Sequence, residues 1–491
     1  MKKFQMYIDG AFCDAEGGAS YESRDPSTDE GWAIMPAATE ADTNRAVEAA
    51  WRAFNEGEWP TLTATARGKL IAKLGELVVR DAQIMAELET RDTGKIIRET
   101  SSTTAYAGEY FRYYAGLADK IEGSTFSADK PTLETYTRRE PLGVVAAVVP
   151  WNSQLFLTAV KAGPALAAGN TVVIKCSEDG PAPILHFAKL AHEAGFPKGV
   201  INVINGFGPE CGAVLTSHKH VSRVAFTGGP HTARHVVRNT AENFALTTLE
   251  LGGKSPVLVF PDADLESAAN GVVAGIFGAT GQSCVAGSRL LLQEDIHDDF
   301  VARLVERAPK IKIGPPLDMK TEVGPLATKR QKENIEAIMA DSVAAGATIA
   351  TGGGTPEGFN TGNYIEPTII LAPSPDIRSV AEECFGPVLS VLKFKDEDEA
   401  VRLANDTEYG FASGVFTSNL SRAHRLIRRL RCGIVWVNTY RVVSPIVPFG
   451  GNKLTGHGRE AGMDTIFDYT RTKSVWINTS DEPIADPFVV R

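Results

Sequence analysis

Gly143-Val144-Val145-Ala146-Ala147-Val148-Val149-Pro150-Trp151-Asn152 is a short uncharged run built on valine and alanine, stopped by a proline and ended by a polar amide. It has the length of a strand and offers no polar face to water, so it belongs in a buried sheet. Three runs of the same kind follow, at 171–174, 201–204 and 221–226, with Ala-rich or capped stretches of helical length between them. Alternation of strand and helix at this spacing predicts parallel strands with crossover helices, which is a doubly wound α/β sheet. A further run at 257–260 is read as continuing the series. Such sheets bind nucleotides at the carboxyl ends of their strands, so the polar residues there are the ones to examine.

On the N-terminal side lies a short strand-like piece, 6–8, turned by Asp9-Gly10. Amphipathic helices come next. Val47, Ala50, Trp51 and Phe54 repeat at helical spacing after a Thr39–Asp42 start signal, and Leu70, Leu74 and Leu77 repeat it again. On the C-terminal side a second alternating series follows Gly281, with runs at 289–292, 365–371, 388–394, 414–417 and 434–437 and helices such as 398–405. It predicts a second α/β domain. Two segments fit neither series, 133–139 and the tail from Ser474; both are expected as edge strands supplied to a neighbouring subunit.

With 491 residues, the chain is expected to hold at least two domains. A net charge of −10 with no basic block argues against nucleic-acid partners and anionic membrane surfaces, both of which need clustered Lys and Arg. The longest apolar run, 144–150, is far too short to span a bilayer, and no apolar run follows Lys2-Lys3 to make a signal peptide. Cysteines stand at 13, 176, 211, 284, 384 and 432 without a C-x-x-C pair, and no His cluster has metal-ligand spacing. A reduced, cytoplasmic setting and no metal are the expectations.

Four segments carry candidate chemistry. In Gly281-Gln282-Ser283-Cys284-Val285-Ala286-Gly287, a cysteine stands among small residues just before a strand. Backbone N–H groups can approach a ligand closely there, and a thiol of lowered pKa is a nucleophile; a buried structural cysteine is the equal alternative. Leu249-Glu250-Leu251-Gly252-Gly253 puts a carboxylate in an apolar setting before a hinge-like glycine pair. Such a carboxylate can act as a general base, whereas a lone Glu is more often a solvated one. Asn152 closes its strand with an amide that can face an oxyanion or simply form a turn. The nucleotide candidates are Lys175 and Glu178 after the second strand, the turn Gly206-Phe207-Gly208-Pro209-Glu210-Cys211-Gly212, and Phe226-Thr227-Gly228-Gly229, which opens a helix. The glycine spacing in the turn differs from the usual dinucleotide fingerprint.

Taken in order, these segments resemble the aldehyde dehydrogenase family: Pro-Trp-Asn, Lys-x-x-Glu, Phe-Thr-Gly, Glu-Leu-Gly-Gly-Lys and Gly-Gln-x-Cys. The likeness continues through Glu382-Glu383-Cys384-Phe385-Gly386-Pro387 and Pro448-Phe449-Gly450-Gly451, and it covers nearly the full length. The resemblance implies that Cys284 attacks an aldehyde carbon, that Asn152 and the Cys284 N–H hold the oxyanion, and that Glu250 activates the water that hydrolyses the thioester. It implies NAD as cofactor. Lys175 and Glu178 would meet the adenine ribose, Gly229 the pyrophosphate, Glu383 the nicotinamide ribose and Phe385 the nicotinamide end. Val149, Pro150, Trp151 and Leu251, together with Gly208, Gly212, Phe226, Thr227 and Gly228, complete the implied cofactor set. Glu178 would repel a 2′-phosphate, favouring NAD over NADP.

On the substrate side the resemblance points to Phe156, Val160, Arg441 and Phe449, with loops around 110–120, 153–160, 283–285 and 440–447 shaping a tunnel. Val160 stands where an aromatic residue is common. Arg441 would lie near the mouth, where it either meets an anionic group of the substrate or is an ordinary paired or solvated arginine. The implied architecture is an NAD-binding domain over 1–121 and 142–252, a catalytic domain over 253–454, and a small β oligomerisation element from 122–141 and 455–491. A homodimer or homotetramer acting on a small aldehyde follows. Glu250 favours hydrolysis over transfer of the acyl group to coenzyme A. A non-catalytic protein of the same fold is the alternative from another class.

Overall fold

In the computed structural model, which describes residues 1–489, the four runs form the parallel strands Val144–Val148, Thr171–Cys176, Ile201–Asn205 and Val221–Thr227. Val, Ile and Ala fill them, and nearly every side chain is buried because helices cover both faces. The first of these strands lies in the middle. Thr171–Cys176 and Ile201–Asn205 extend to one side, and Val221–Thr227 with Leu246–Glu250 to the other. Strand order therefore reverses beside Val144–Val148, which opens a crevice at its carboxyl end, where Pro150, Trp151 and Asn152 follow. The hairpin Met6–Ile8 and Ala11–Cys13 finishes one edge, and Gly456–His457 adds an antiparallel pairing at the other.

Two readings of this region need correction. Leu246–Glu250 is a fifth parallel strand that the sequence reading missed, and residues 257–260 belong to the other sheet. Leu-Thr-Thr-Leu-Glu is half polar because it lies near a sheet edge, and an edge strand needs no unbroken apolar run. The chain leaves this sheet at Gly252-Gly253 and enters the second as Pro256–Val259.

The second sheet has seven strands in the order Thr348–Thr351, Thr368–Leu371, Val388–Phe394, Arg289–Gln293, Pro256–Val259, Ala412–Phe416, Ile434–Val437. All pairs are parallel except the first. The expected run at 365–371 shortens to Thr368–Leu371, since Pro367 has no N–H to give a ladder.

The two orphan segments pair with each other. Leu133–Pro141 and Thr470–Asn478 form an antiparallel ladder over nine residues, with Thr125–Ser127 on the other flank. Each finds a partner in this chain, over 300 residues away: Leu133–Pro141 is the central strand of this small sheet rather than an edge strand, whereas Thr470–Asn478 lies at its edge. Nothing local in sequence can reveal such a pairing. Among the described residues no helix is long and apolar enough to cross a membrane.

Two helices frame the crevice from the N-terminal half. Thr39 and Asp42 form a reciprocal capping box at the start of Glu40–Asn55, as their spacing predicts. The segments 110–120 and 153–160, expected as loops, are largely helical: they lie in Ile97–Leu117 and Gln154–Ala167.

Candidate active site

Three elements converge where the two sheets meet. Glu250 ends its strand, Asn152 follows the central strand, and Cys284 stands in the loop behind the turn Gly278–Gly281. The Asn152 amide donates from Nδ2 to the Gln282 carbonyl at 3.1 Å, which fixes it beside the cysteine loop. Lys95, buried with Glu89, donates from Nζ to the Asn152 carbonyl at 3.4 Å and steadies the residue from behind.

The glycine pair explains how these parts come so close. A Cβ on Gly252 would collide with the Glu383 carboxylate, and one on Gly253 with the Cys284 carbonyl. Gly253 N–H also donates to Glu383 Oε1 at 2.8 Å. The hinge thus carries the carboxylate and the cysteine loop on its two flanks.

Electrostatics make this a high-pKa centre. Burial pushes the Cys284 thiol up to about 12, and the negative charges of Glu250 and Glu383 add to the effect; the Cys284 N–H works the other way. Glu250 is buried, and neither of its carboxylate oxygens has a hydrogen-bond partner. Its pKa lies well above the ordinary carboxylate value, through burial first and then the charge of Glu460, with Lys161 and Arg459 opposing. Burial raises Glu383 to about 7 against the pull of the Gly253 N–H and Lys254.

Sequence reading assigned no role to three residues here, although Gly450 stands in one of the motifs quoted above. Lys161 lies wholly buried in helix Gln154–Ala167, contacts the Glu460 carboxylate and donates to Thr227 Oγ1 at 2.7 Å. Gly450, at φ +149°, leaves space that a Cβ would take from Glu250 Oε1. A charged residue inside the helix with the most buried run in the chain was the available signal for Lys161. Glu460, lying 299 residues away, had none.

The cofactor candidates fall along the crevice. Lys175 is buried beside half-exposed Glu178, with Nζ to Oε2 at 3.6 Å, at the carboxyl end of Thr171–Cys176. Gly212 lies against Lys175, whereas Gly208 and Gly229 have open space where a side chain would be. Gly229 is the N-cap of Pro230–Thr240 and has no side chain to satisfy the first N–H groups of that helix. Phe226 is buried with its ring against Gly228, and Thr227 is held by Lys161. Val149 is buried, its N–H given to the Lys175 carbonyl. Trp151 meets Phe385 edge-on at 5.5 Å, joining the two sheets across the crevice beside Pro150. Leu251 is buried between Glu250 and Gly252 and borders a groove with Ala233, Arg234 and Val237 of helix Pro230–Thr240. Open glycines, a bare helix N-terminus and paired ribose-type groups in one row fit a dinucleotide.

On the remaining side, Phe156 packs on Tyr110 at 4.9 Å, Val160 is buried and Phe449 packs on Phe411 at 5.2 Å. Phe449 also exchanges backbone hydrogen bonds with Glu460. Tyr106 donates to the Val443 carbonyl at 3.3 Å and ties the helix to the 440–449 loop.

The aldehyde dehydrogenase family model matches residues 12–475. The chain belongs to that family. It is 60% identical over its full length, and the full length of the relative, to a (Z)-2-((N-methylformamido)methylene)-5-hydroxybutyrolactone dehydrogenase of Acinetobacter baylyi. Among solved structures, an NAD+ complex of aldehyde dehydrogenase from Bacillus cereus superposes with TM-score 0.95 at 40% identity, covering 98% of this chain and 97% of that one. Betaine aldehyde dehydrogenase from Staphylococcus aureus, also in complex with NAD+, gives TM-score 0.97 at 38% identity, with 99% and 97% covered. The resemblance read from the ordered motifs therefore stands, as does the α/β architecture of parallel sheets.

Proposed function

We propose that this aldehyde dehydrogenase, an NAD-dependent oxidoreductase, works through Cys284 as nucleophile, Asn152 as oxyanion donor and Glu250 as the base for hydrolysis. The observation that carries the assignment is the meeting of these three side chains at the junction of the sheets, beside the Gly252-Gly253 hinge. The Cys284 sulfur adds to the aldehyde carbon, and its proton leaves for a carboxylate or water. The Asn152 amide and the Cys284 N–H then stabilise the oxyanion of the thiohemiacetal. NAD, when bound, supplies a cationic ring that accepts the hydride. Glu178 and Lys175 would hold its adenosine end, the N-terminus of Pro230–Thr240 its phosphates, and Glu383 its second ribose. Glu250 takes a proton from the water that attacks the resulting thioester. A raised pKa makes it a stronger base at the cost of a smaller ionised fraction, and Lys161 limits that cost. Glu250 also supports hydrolysis over transfer to coenzyme A.

The Acinetobacter relative is named for a 5-hydroxybutyrolactone. Such a lactone is the ring-closed isomer of a 4-oxo acid, and only the open form presents an aldehyde to a thiol. We extend this class to the present chain: an aldehyde that carries a carboxylate. The division into an NAD-binding part (1–121, 142–252), a catalytic part (253–454) and a bridging element (122–141, 455–491) is part of the same reading. A homo-oligomer is supported by exposed Trp476 and Phe126 on the small sheet and by the edge position of Ile434–Val437. The need for a free Cys284 thiol supports a reducing, cytoplasmic setting.

The test is NADH formation at 340 nm across aldehydes that differ in length, ring and terminal charge, with Cys284→Ala as control. Turnover that vanishes in the variant supports the reading. Turnover that persists removes Cys284 from its role.

A further inference from the structure

We propose that the guanidinium of Arg441, seated over Gly278, is the group that receives the carboxylate of the substrate. This deepens the aldehyde reading above and rests on it.

Arg441 follows Tyr440, whose hydroxyl donates to the Val285 carbonyl at 2.9 Å, one residue past the nucleophile. The 440–449 loop is thereby anchored to the cysteine loop and, through Tyr106, to helix Ile97–Leu117. Arg441 itself adopts φ +63°, a conformation that a long side chain takes only when its surroundings demand it. What those surroundings provide is a slot. A Cβ on Gly278, six residues before Cys284, would collide with Arg441 Nη1, so the guanidinium occupies the space of the missing side chain.

In that slot the cation is largely uncommitted. Nη1 donates to the Ala274 carbonyl at 3.0 Å, and among the described residues no carboxylate lies within 4.0 Å of the guanidinium. Glu99, which also borders Gly278, accepts from Ala279 N–H at 2.8 Å through Oε1, while its buried Oε2 has no hydrogen-bond partner and is not paired with Arg441. A guanidinium has five donors in a planar fork that matches a carboxylate, and a half-buried one loses less of its attraction to water. Gly278 and Ala274 also wall a surface groove of about 450 Å³ that sets Arg98, Arg307 and Lys310 against Glu99 and Glu322. Lys310 is paired with Glu306 at 2.7 Å, so the groove residues are close to balanced and Arg441 adds the cation that favours the arrival of an anion.

The arrangement also bears on the lactone. Ring opening exposes the aldehyde to Cys284 and releases a carboxylate, and a cation that holds the carboxylate keeps the two ends apart.

The experiment compares kcat/KM for 4-oxobutanoate and for butanal in wild type, Arg441→Gln, Arg441→Lys and Gly278→Ala. The ratio of the two is expected to fall about 10- to 100-fold in Arg441→Gln, as expected for loss of charge-assisted hydrogen bonds. Gly278→Ala, which evicts the guanidinium while leaving its charge, lowers the ratio as well, and Arg441→Lys falls between. An unchanged ratio in both Arg441→Gln and Gly278→Ala overturns the proposal, even if overall turnover drops. Calorimetric titration with succinate is read alongside. Binding that weakens tenfold or more in Arg441→Gln supports the site even if the wild type oxidises no aldehyde, in which case only the aldehyde reading falls. Equal binding to both proteins, with wild-type turnover intact, overturns this inference alone.

Discussion

Two lysine–glutamate pairs mark the two ends of the crevice, and they are built in opposite ways. Lys175 and Glu178 stand three residues apart in sequence and 3.6 Å apart in space, with 36% of the Glu178 side chain exposed. Lys161 and Glu460 lie 299 residues apart, in direct contact, and both are buried. The first pair is half-open, cheap to rearrange and worth little to stability, as a ligand-facing pair should be. The second has no solvent to fall back on, and each charge is tolerated only because the other is present. It bears on Glu250 from both sides, Glu460 raising its pKa and Lys161 lowering it. On the proposed assignment, the half-open pair suits an end of the crevice that exchanges a ligand, and the buried pair an end that holds a charge state.

Breaking the buried pair gives the largest effect. Lys161→Met leaves Glu460 buried and unpaired, which costs about 3–5 kcal/mol of stability, read as a lower denaturation midpoint. The same variant shifts the pH profile in a defined direction. Hydrolysis needs ionised Glu250, so turnover rises with pH through its pKa; without the Lys161 cation that pKa goes higher, and the acidic limb moves to higher pH. An acidic limb that stays in place dissociates Lys161 from Glu250.

The open pair gives an intermediate effect. Glu178→Gln removes the charge that opposes a 2′-phosphate, and the ratio of kcat/KM for NAD over NADP is expected to fall about tenfold. A wild type that prefers NADP contradicts the role assigned to Glu178.

The smallest effect is the sharpest. In the protein without cofactor, Glu250→Gln removes a negative charge that raises the Cys284 pKa, so alkylation by iodoacetamide at pH 8 is expected to speed up by a few-fold. A slower reaction means that Glu250 instead serves the thiol as its base.

The same contrast explains what was legible in sequence. The open end is written in contiguous motifs: Lys175 with Glu178, and Phe226 through Gly229 at a helix start, because strand ends and helix starts are local events. Cys284, Glu250 and Asn152 were legible as an ordered set although each alone was ambiguous. Lys161, Glu460 and Gly450 were not, since their roles arise from contacts between segments far apart in the chain. The strand Leu246–Glu250 escaped notice for a related reason: its polar threonines follow from a place near a sheet edge, which only the assembled sheet defines. The ladder between Leu133–Pro141 and Thr470–Asn478 was likewise visible as two strands but not as a pair.

In the proposed mechanism Cys284 carries the acyl group and Glu250 releases it. Mixing Glu250→Gln with NAD and a substrate aldehyde, then quenching in acid for intact-mass and peptide analysis, tests it most directly. A single burst of NADH is expected, at most one per chain, with an acyl adduct confined to the peptide bearing Cys284 and little turnover afterwards. Steady turnover without an adduct, or an adduct on another cysteine, contradicts it.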